Sequence, residues 1–187
     1  MCEYLIVGND RAALIDTGYC IGDLKGYVES LTDKPYDVFV THGHVDHAAG
    51  AAQFEKAYMN LADQDLFEVH CEVEFRKEML ASHGDLQLED ADFLPKRKAP
   101  FTNIEDGMEV DLGGVTVTFL HIPGHTQGMM VPLTPEAWTC TWAARNTPCS
   151  TCSMPASGTR FSLTWATSVS YTHLDVYKRQ IFTFSPS

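Results

Sequence analysis

The chain has 187 residues, 44% of them hydrophobic, and a formal net charge of −12, which suits one domain with a buried core. This acidity argues against a nucleic-acid partner, because phosphate backbones bind clusters of lysine and arginine. Because the sequence shows neither a bilayer-length apolar run nor a signal peptide, we expect no membrane partner and, by default, a cytoplasmic location. The six cysteines lack a disulfide-framework spacing, so free thiols are expected.

The start of the chain is predicted to alternate strands and a helix. Tyr4–Val7 and Ala12–Ile15 are short apolar runs on either side of a Gly-Asn-Asp turn, a pattern that predicts a hairpin. Leucine and valine at helical spacing predict a helix over residues 24–31. Residues 37–40 have the apolar composition of a buried strand.

The middle of the chain continues this alternation. Residues 48–54 are predicted to be a helix, 57–59 a strand, and 64–83 one acidic helix. Residues 86–100 are polar and are predicted to form a loop. Strands that alternate with helices favour an α/β fold.

Two histidine-containing segments follow predicted strands. Residues 108–112 and 115–121 are separated by Gly113-Gly114, which indicates a two-residue hairpin. The second of these strands leads into Pro123-Gly124-His125-Thr126. The buried strand over residues 37–40 leads into a segment with three histidines and an aspartate. Strand ends are the usual position of functional sites in α/β folds.

The earlier segment has the composition of a metal site. In an extended chain alternate side chains share a face, so His42 and His44 can point at one metal ion. Asp46 and His47 follow on the turn and can serve a neighbouring position. Imidazole nitrogens and a carboxylate oxygen suit zinc.

A catalytic zinc ion typically needs a third protein ligand, which must come from elsewhere in the chain. His125 is the best candidate because it lies at a strand end of its own, and His121 is the alternative. His70 and His83 are isolated, and we expect them to be solvated helix residues.

The run His42-x-His44-x-Asp46-His47 resembles the signature of the metallo-β-lactamase superfamily. Residues 14–18 and 123–126 match the motifs that flank it, in the expected order. The resemblance covers residues 4 to about 130. Within the superfamily, the sequence is similar to the glyoxalase II-like hydrolases. The resemblance implies an α/β fold, the αβ/βα sandwich, in which metal ions lie in a cleft between two sheets. This chain would hold only the N-terminal part of that sandwich.

The same resemblance implies roles for individual residues. His42, His44 and His125 would hold a first zinc ion, and Asp46 and His47 would contribute to a second. Asp16 would orient the ligands through hydrogen bonds. Asp46 would also be the catalytic general base for a metal-activated water that attacks a small ester, thioester or lactone.

This chain also departs from the family. Intact members hold two zinc ions bridged by an aspartate, with a last histidine later in the chain, and neither residue can be placed in residues 133–168. One zinc ion or none is therefore expected here. The expected partner is a small-molecule substrate, and the sequence leaves the oligomeric state open.

The sequence changes character near residue 132. Residues 1–132 hold 9 basic and 23 acidic residues, whereas residues 133–187 hold 4 and 2. Residues 169–180 can be encoded by a nearly palindromic DNA string that resembles two inverted transposon ends. We interpret residues 1–132 as an incomplete domain, 133–168 as an out-of-frame or disordered tail, and 169–187 as a sequencing-adapter scar with trailing residues.

Two other functions are compatible with the sequence. One is a non-catalytic or inactive metal-binding fragment of the same fold. The other is an aspartic protease in which Asp16-Thr17-Gly18 supplies one carboxylate, although such enzymes need two and no second triplet of this kind occurs.

Overall fold

The computed structural model of the chain describes residues 3–82, 88–134, 164–165 and 182–184. The predicted hairpin forms the middle of a first sheet, in which β1 (Tyr4–Val7) pairs antiparallel with β2 (Ala12–Ile15). β3 (Tyr36–Phe39) runs parallel to β2. β4 (Tyr58–Met59) and β5 (Thr102–Asn103) extend the same edge in parallel.

Two further strands lie on the other side of β1. β10 (Phe182–Phe184) pairs with β1 in parallel and β9 (Thr164–Trp165) pairs with β10, although both come from residues assigned above to the tail. Without β10, the N–H and C=O groups along β1 would form an open sheet edge, which readily pairs with another strand. The interpretation of residues 169–180 lies outside the described residues.

The helices match the predictions in part. α1 (Leu24–Leu31) forms as predicted, and Asp23 caps it by accepting a hydrogen bond of 2.7 Å from the Gly26 N–H. The helix expected over 48–54 begins earlier, as α2 (Val45–Ala48), and continues as a 3₁₀ helix over Ala49–Gln53. It begins earlier because His44 has an extended backbone and starts the helix inside the histidine segment.

The single helix predicted over residues 64–83 is wrong. Two helices form instead, α3 (Gln64–His70) and α4 (Val73–Ala81). The break occurs after Cys71, because the extended backbone of Glu72 interrupts the helical hydrogen bonds and starts α4. The loop predicted over 86–100 contains a short 3₁₀ helix, Asp90–Asp92, within its described part.

The second sheet contains β6 (Met108–Asp111), β7 (Thr116–His121) and β8 (Met130–Leu133), all antiparallel. Gly113 and Gly114 both have a φ of 81°, as the predicted two-residue hairpin turn requires. β8 ends at Leu133, one residue beyond the domain boundary expected from the sequence.

Apolar side chains divide between the two faces of the first sheet. One face packs against the second sheet, through residues that include Ile15, Phe39, Val117, Phe119 and Met130. The other face packs against the helices, through residues that include Leu5, Leu14, Leu24, Val28, Val38 and Phe67. The described residues thus form three layers, which are the helices, the first sheet and the second sheet.

Two smaller expectations concern cysteines and membranes. Cys20 and Cys71 are buried and form no disulfide in the part of the chain that the structure describes, and the other four cysteines lie outside it. Among the residues that the structure describes, no helix has the length and apolar character needed to cross a bilayer.

Candidate metal centre

The two histidine segments meet where the sheets face each other. After β3 the chain turns through Thr41 before it enters α2, and the N–H of Met130 in β8 donates to the Thr41 carbonyl at 2.8 Å. His125 lies in the loop between β7 and β8. This contact therefore fixes the loop of His125 beside the segment that carries His42 and His44.

Three of the histidines selected from the sequence converge. His42, His44 and His125 each offer a ring nitrogen, and these atoms lie within 4.8 Å of one another. The His44 Nδ1 is 3.0 Å from the His125 Nε2. His42 is buried, His44 is half-buried and His125 is exposed, so the cluster extends from the core to the surface.

Hydrogen bonds determine which nitrogen of His42 carries the proton. The Asp16 carboxylate can only accept, and the Thr41 hydroxyl lies 2.9 Å from it. With its proton directed at Asp16, the Thr41 Oγ1 accepts from the His42 Nδ1, 3.0 Å away. The Nε2 of His42 then has a free lone pair.

That lone pair belongs to a buried atom with no hydrogen-bond partner among the described residues. The pKa of His42 is lowered to about 3, mainly by burial and next by the charge of the neighbouring His47. Burial and the neighbouring His125 and His70 also lower the pKa of His44. Neutral imidazoles are the form that binds metals, so the donor set fits a metal ion such as zinc.

Asp46 and His47 lie beside this cluster. The His47 ring centroid is 4.1 Å from that of His42, and its Nε2 is 3.4 Å from the Asp46 Oδ2. Its Nδ1 is 2.7 Å from the Asp16 Oδ2. Burial opposes protonation of His47, but the carboxylates of Asp16 and Asp46 outweigh it and raise the pKa.

Asp16 is held in an unusual backbone conformation. Its φ is 62°, a left-handed value that few residues other than glycine, asparagine and aspartate adopt. The residue is 2% exposed, and its side chain accepts hydrogen bonds from the Thr41 N–H and hydroxyl. A carboxylate of an aspartic protease must face its substrate, so this geometry does not support that alternative.

The remaining histidines differ from one another. His121 is exposed, and its Nε2 contacts the Gln127 carbonyl at 2.7 Å, outside the cluster. His70 lies in α3, as expected, but it is half-buried and not isolated, because its ring stacks on His44 at 5.1 Å and on Phe75 at 4.4 Å between ring centroids. His83 lies outside the described residues.

Two residues at the site have roles that the sequence analysis missed. Thr41 links Asp16 to His42, and its position directly before the histidine segment was the available signal. Asp63 is buried, and its carboxylate accepts hydrogen bonds from both histidine loops. No local pattern marks Asp63 for this role, because its partners are distant in the sequence.

Residues 4–137 match the metallo-beta-lactamase superfamily, and the chain belongs to this superfamily. This confirms the resemblance seen in the sequence.

Individual relatives cover about the same part of the chain. The hydroxyacylglutathione hydrolase GloC of Haemophilus influenzae is 32% identical over 133 residues, which are 68% of this chain and 57% of the relative. The acyl-coenzyme A thioesterase MBLAC2 of Bos taurus is 27% identical over 143 residues, covering 67% and 50%. The crystal structure of TTHA1623 in a di-iron-bound form aligns with a TM-score of 0.51 and 27% identity, covering 72% and 62%. The chain spans about half the length of the curated relatives it matches.

Proposed function

We propose that the protein is a zinc-dependent hydrolase of a small ester, thioester or lactone, with His42, His44 and His125 as the metal ligands. The observation that carries this proposal is the buried, unpartnered Nε2 of His42 beside two other imidazoles. Three protein ligands with one open position are typical of catalytic zinc. Two relatives support the reaction class by their names, one a thioesterase and one a hydrolase of hydroxyacylglutathione.

A bound zinc ion would polarise a substrate carbonyl group and make a water molecule more acidic. Asp46 is the proposed general base, because its partly exposed carboxylate can accept a proton beside the cluster. Asp16 holds the His47 ring through its Nδ1, which leaves the His47 Nε2 facing Asp46. Asp46 and His47 are the proposed ligands of any second ion.

We expect at most about one tightly bound zinc ion. The candidate ligand group found in residues 3–82 and 88–134 consists of three histidines and includes no carboxylate that could bridge two ions. This observation also favours a second candidate function, metal binding without turnover. In both cases the three proposed ligands lie within residues 1–132.

The test measures zinc content and hydrolysis in the same preparations. The full chain is loaded with zinc, and its metal content and its hydrolysis of a thioester and a lactone are determined. His44→Ala should lose both zinc and activity. His121→Ala is the matched control and should retain both, because His121 lies outside the cluster.

The outcomes separate the two candidates. Zinc that His44→Ala removes, together with hydrolysis that His44→Ala abolishes, supports the hydrolase. Zinc binding without hydrolysis supports the second candidate. A chain that binds no zinc, or that binds it equally well after His44→Ala, contradicts both.

A further inference from the structure

Asp63 lies in a position where aspartate usually caps a helix. It ends a 3₁₀ helix over Leu61–Asp63 and directly precedes α3. A capping aspartate accepts hydrogen bonds from N–H groups in the first turn of the helix. The Asp63 side chain makes no such bond, although it is only 2% exposed. The buried carboxylate therefore has another role.

Its hydrogen bonds connect the two loops that carry the histidines. Gly43 lies between His42 and His44, and its N–H donates to the Asp63 Oδ2 at 2.9 Å. The same Oδ2 also accepts from the hydroxyl of Thr126, at 2.6 Å, next to His125. The Oδ1 accepts from the N–H of Gly128 at 2.7 Å. Hydrogen bonds to an ionised acceptor are among the strongest in proteins.

The glycines on both loops allow this close approach. A Cβ at Gly43 would lie 2.7 Å from the backbone oxygen of Asp63, and one at Gly128 would lie 2.9 Å from its backbone nitrogen. Both distances are shorter than a side-chain carbon tolerates, so each loop packs directly on this residue. Asp63 thus acts on the residues beside the histidines, through two backbone N–H groups and the Thr126 hydroxyl, and not through the imidazole rings.

We propose that Asp63 is a positioning residue that sets the distance between the His42–His44 loop and the His125 loop, and thereby the affinity of the site for a metal ion. This inference rests on the metal site proposed above. The His44 and His125 nitrogens are 3.0 Å apart across these two loops. Loss of the carboxylate would let the loops separate while all three histidines remain.

The test compares zinc affinity in variants of the full chain that keep every histidine. In Asp63→Asn, one amide oxygen can still accept from Gly43 and Thr126, but the NH₂ group would face the Gly128 N–H. We expect a zinc Kd at least about tenfold weaker, as for other residues that orient metal ligands. The visible spectrum of the cobalt-substituted protein should change as well. Thr126→Val removes one of the three bonds and should have a smaller effect in the same direction.

Asn60→Ala is the matched control. Asn60 lies three residues earlier, where its side chain accepts from the Ala62 N–H and donates to the Ile104 carbonyl and to the Met130 sulfur in β8. Its loss should reduce stability but leave the zinc Kd and the cobalt spectrum of the wild type unchanged, because none of these three partners lies in the His42–His44 segment or in the loop between β7 and β8. Circular dichroism of the metal-free proteins checks that each variant is folded.

Suppose that His44→Ala abolishes zinc binding, but neither Asp63→Asn nor Thr126→Val weakens it. This result would overturn the inference and leave the proposed function intact. An equal loss of affinity in Asn60→Ala would also overturn it, because general destabilisation would then explain the effect. If Asp63→Asn does not fold, the Kd and spectrum of Thr126→Val decide the question. A wild-type chain without zinc affinity would overturn both proposals.

Discussion

Replacing Thr41 by valine should disturb both the stability of the fold and the protonation of His42. The hydroxyl lies between the Asp16 carboxylate and the His42 Nδ1, and the residue is 3% exposed. Valine has nearly the same shape, so the change removes two hydrogen bonds with little change in packing. The His42 Nδ1–H is then buried without an acceptor.

The size of the effect follows from these two losses. A hydrogen bond to a charged group contributes about 1.5–3 kcal/mol, and an unpaired buried donor costs about 1–3 kcal/mol. We therefore expect the free energy of unfolding of metal-free Thr41→Val to fall by about 3–5 kcal/mol. Without the hydroxyl, the ring proton is no longer held on the Nδ1. Its shift to the Nε2, which is also buried without a partner, would not relieve this cost and would remove the lone pair needed for a metal ion.

Urea unfolding with a chelator present measures the stability, and ¹⁵N NMR of the imidazole rings identifies the protonated nitrogen. Thr17→Val is the matched control, because it removes a buried hydroxyl that donates to the His47 carbonyl and contacts no ring nitrogen. That variant should lose only about 1 kcal/mol. Wild-type stability together with a wild-type His42 tautomer in Thr41→Val would refute the proposed hydrogen-bond chain.

Three further predictions concern other parts of the fold. Burial raises the pKa of the Cys71 thiol, so this thiol should resist iodoacetamide at pH 8 until urea unfolds the chain. Peptide mass spectrometry measures the labelling, and rapid labelling of the folded chain would contradict the prediction. Because the folded pKa of His42 is about 3, the unfolded state binds more protons between pH 3 and 6.5, and stability should fall on acidification. That fall should reach about 1.6 kcal/mol between pH 6.5 and 5, measured by urea unfolding without metal, and it should be smaller in His42→Asn. Equal pH profiles of the two proteins would count against it. Gly50→Ala should lose about 2–3 kcal/mol in urea unfolding, because its Cβ would lie 1.9 Å from the Thr17 carbonyl oxygen. Gly107→Ala is the control, with open space around it and a φ of 77°, and should lose only about 1 kcal/mol; equal losses would refute the clash.

Local signals predicted those parts of the fold that depend on neighbours in the sequence. The first hairpin, α1 and the Gly113-Gly114 turn form as expected, because apolar spacing and turn residues determine them within a few positions. The break between α3 and α4 was missed because no glycine or proline marks it in residues 64–83. β5 has only two residues, both exposed, so no apolar pattern marks it.

The candidate site shows the same division. The sequence predicted His42 and His44 as metal ligands because the two residues share one short segment. It predicted His125 because this residue follows a strand of its own, and the three side chains do converge. Asp63 could not be selected, since its role depends on which loops meet in space. Its position before α3 predicts a helix cap, and only the packed structure shows that the carboxylate turns away from the helix.

The backbone of Asp16 has a consequence for which sequences can encode this fold. A φ of 62° favours glycine, asparagine or aspartate, whereas contact with Thr41 and His47 favours a residue with a negative charge. Glutamate keeps the charge but strains the backbone, and asparagine keeps the backbone conformation but loses the charge. Among the twenty amino acids aspartate alone meets both demands, so in a saturation library position 16 should tolerate fewer replacements than a buried apolar position such as Leu14.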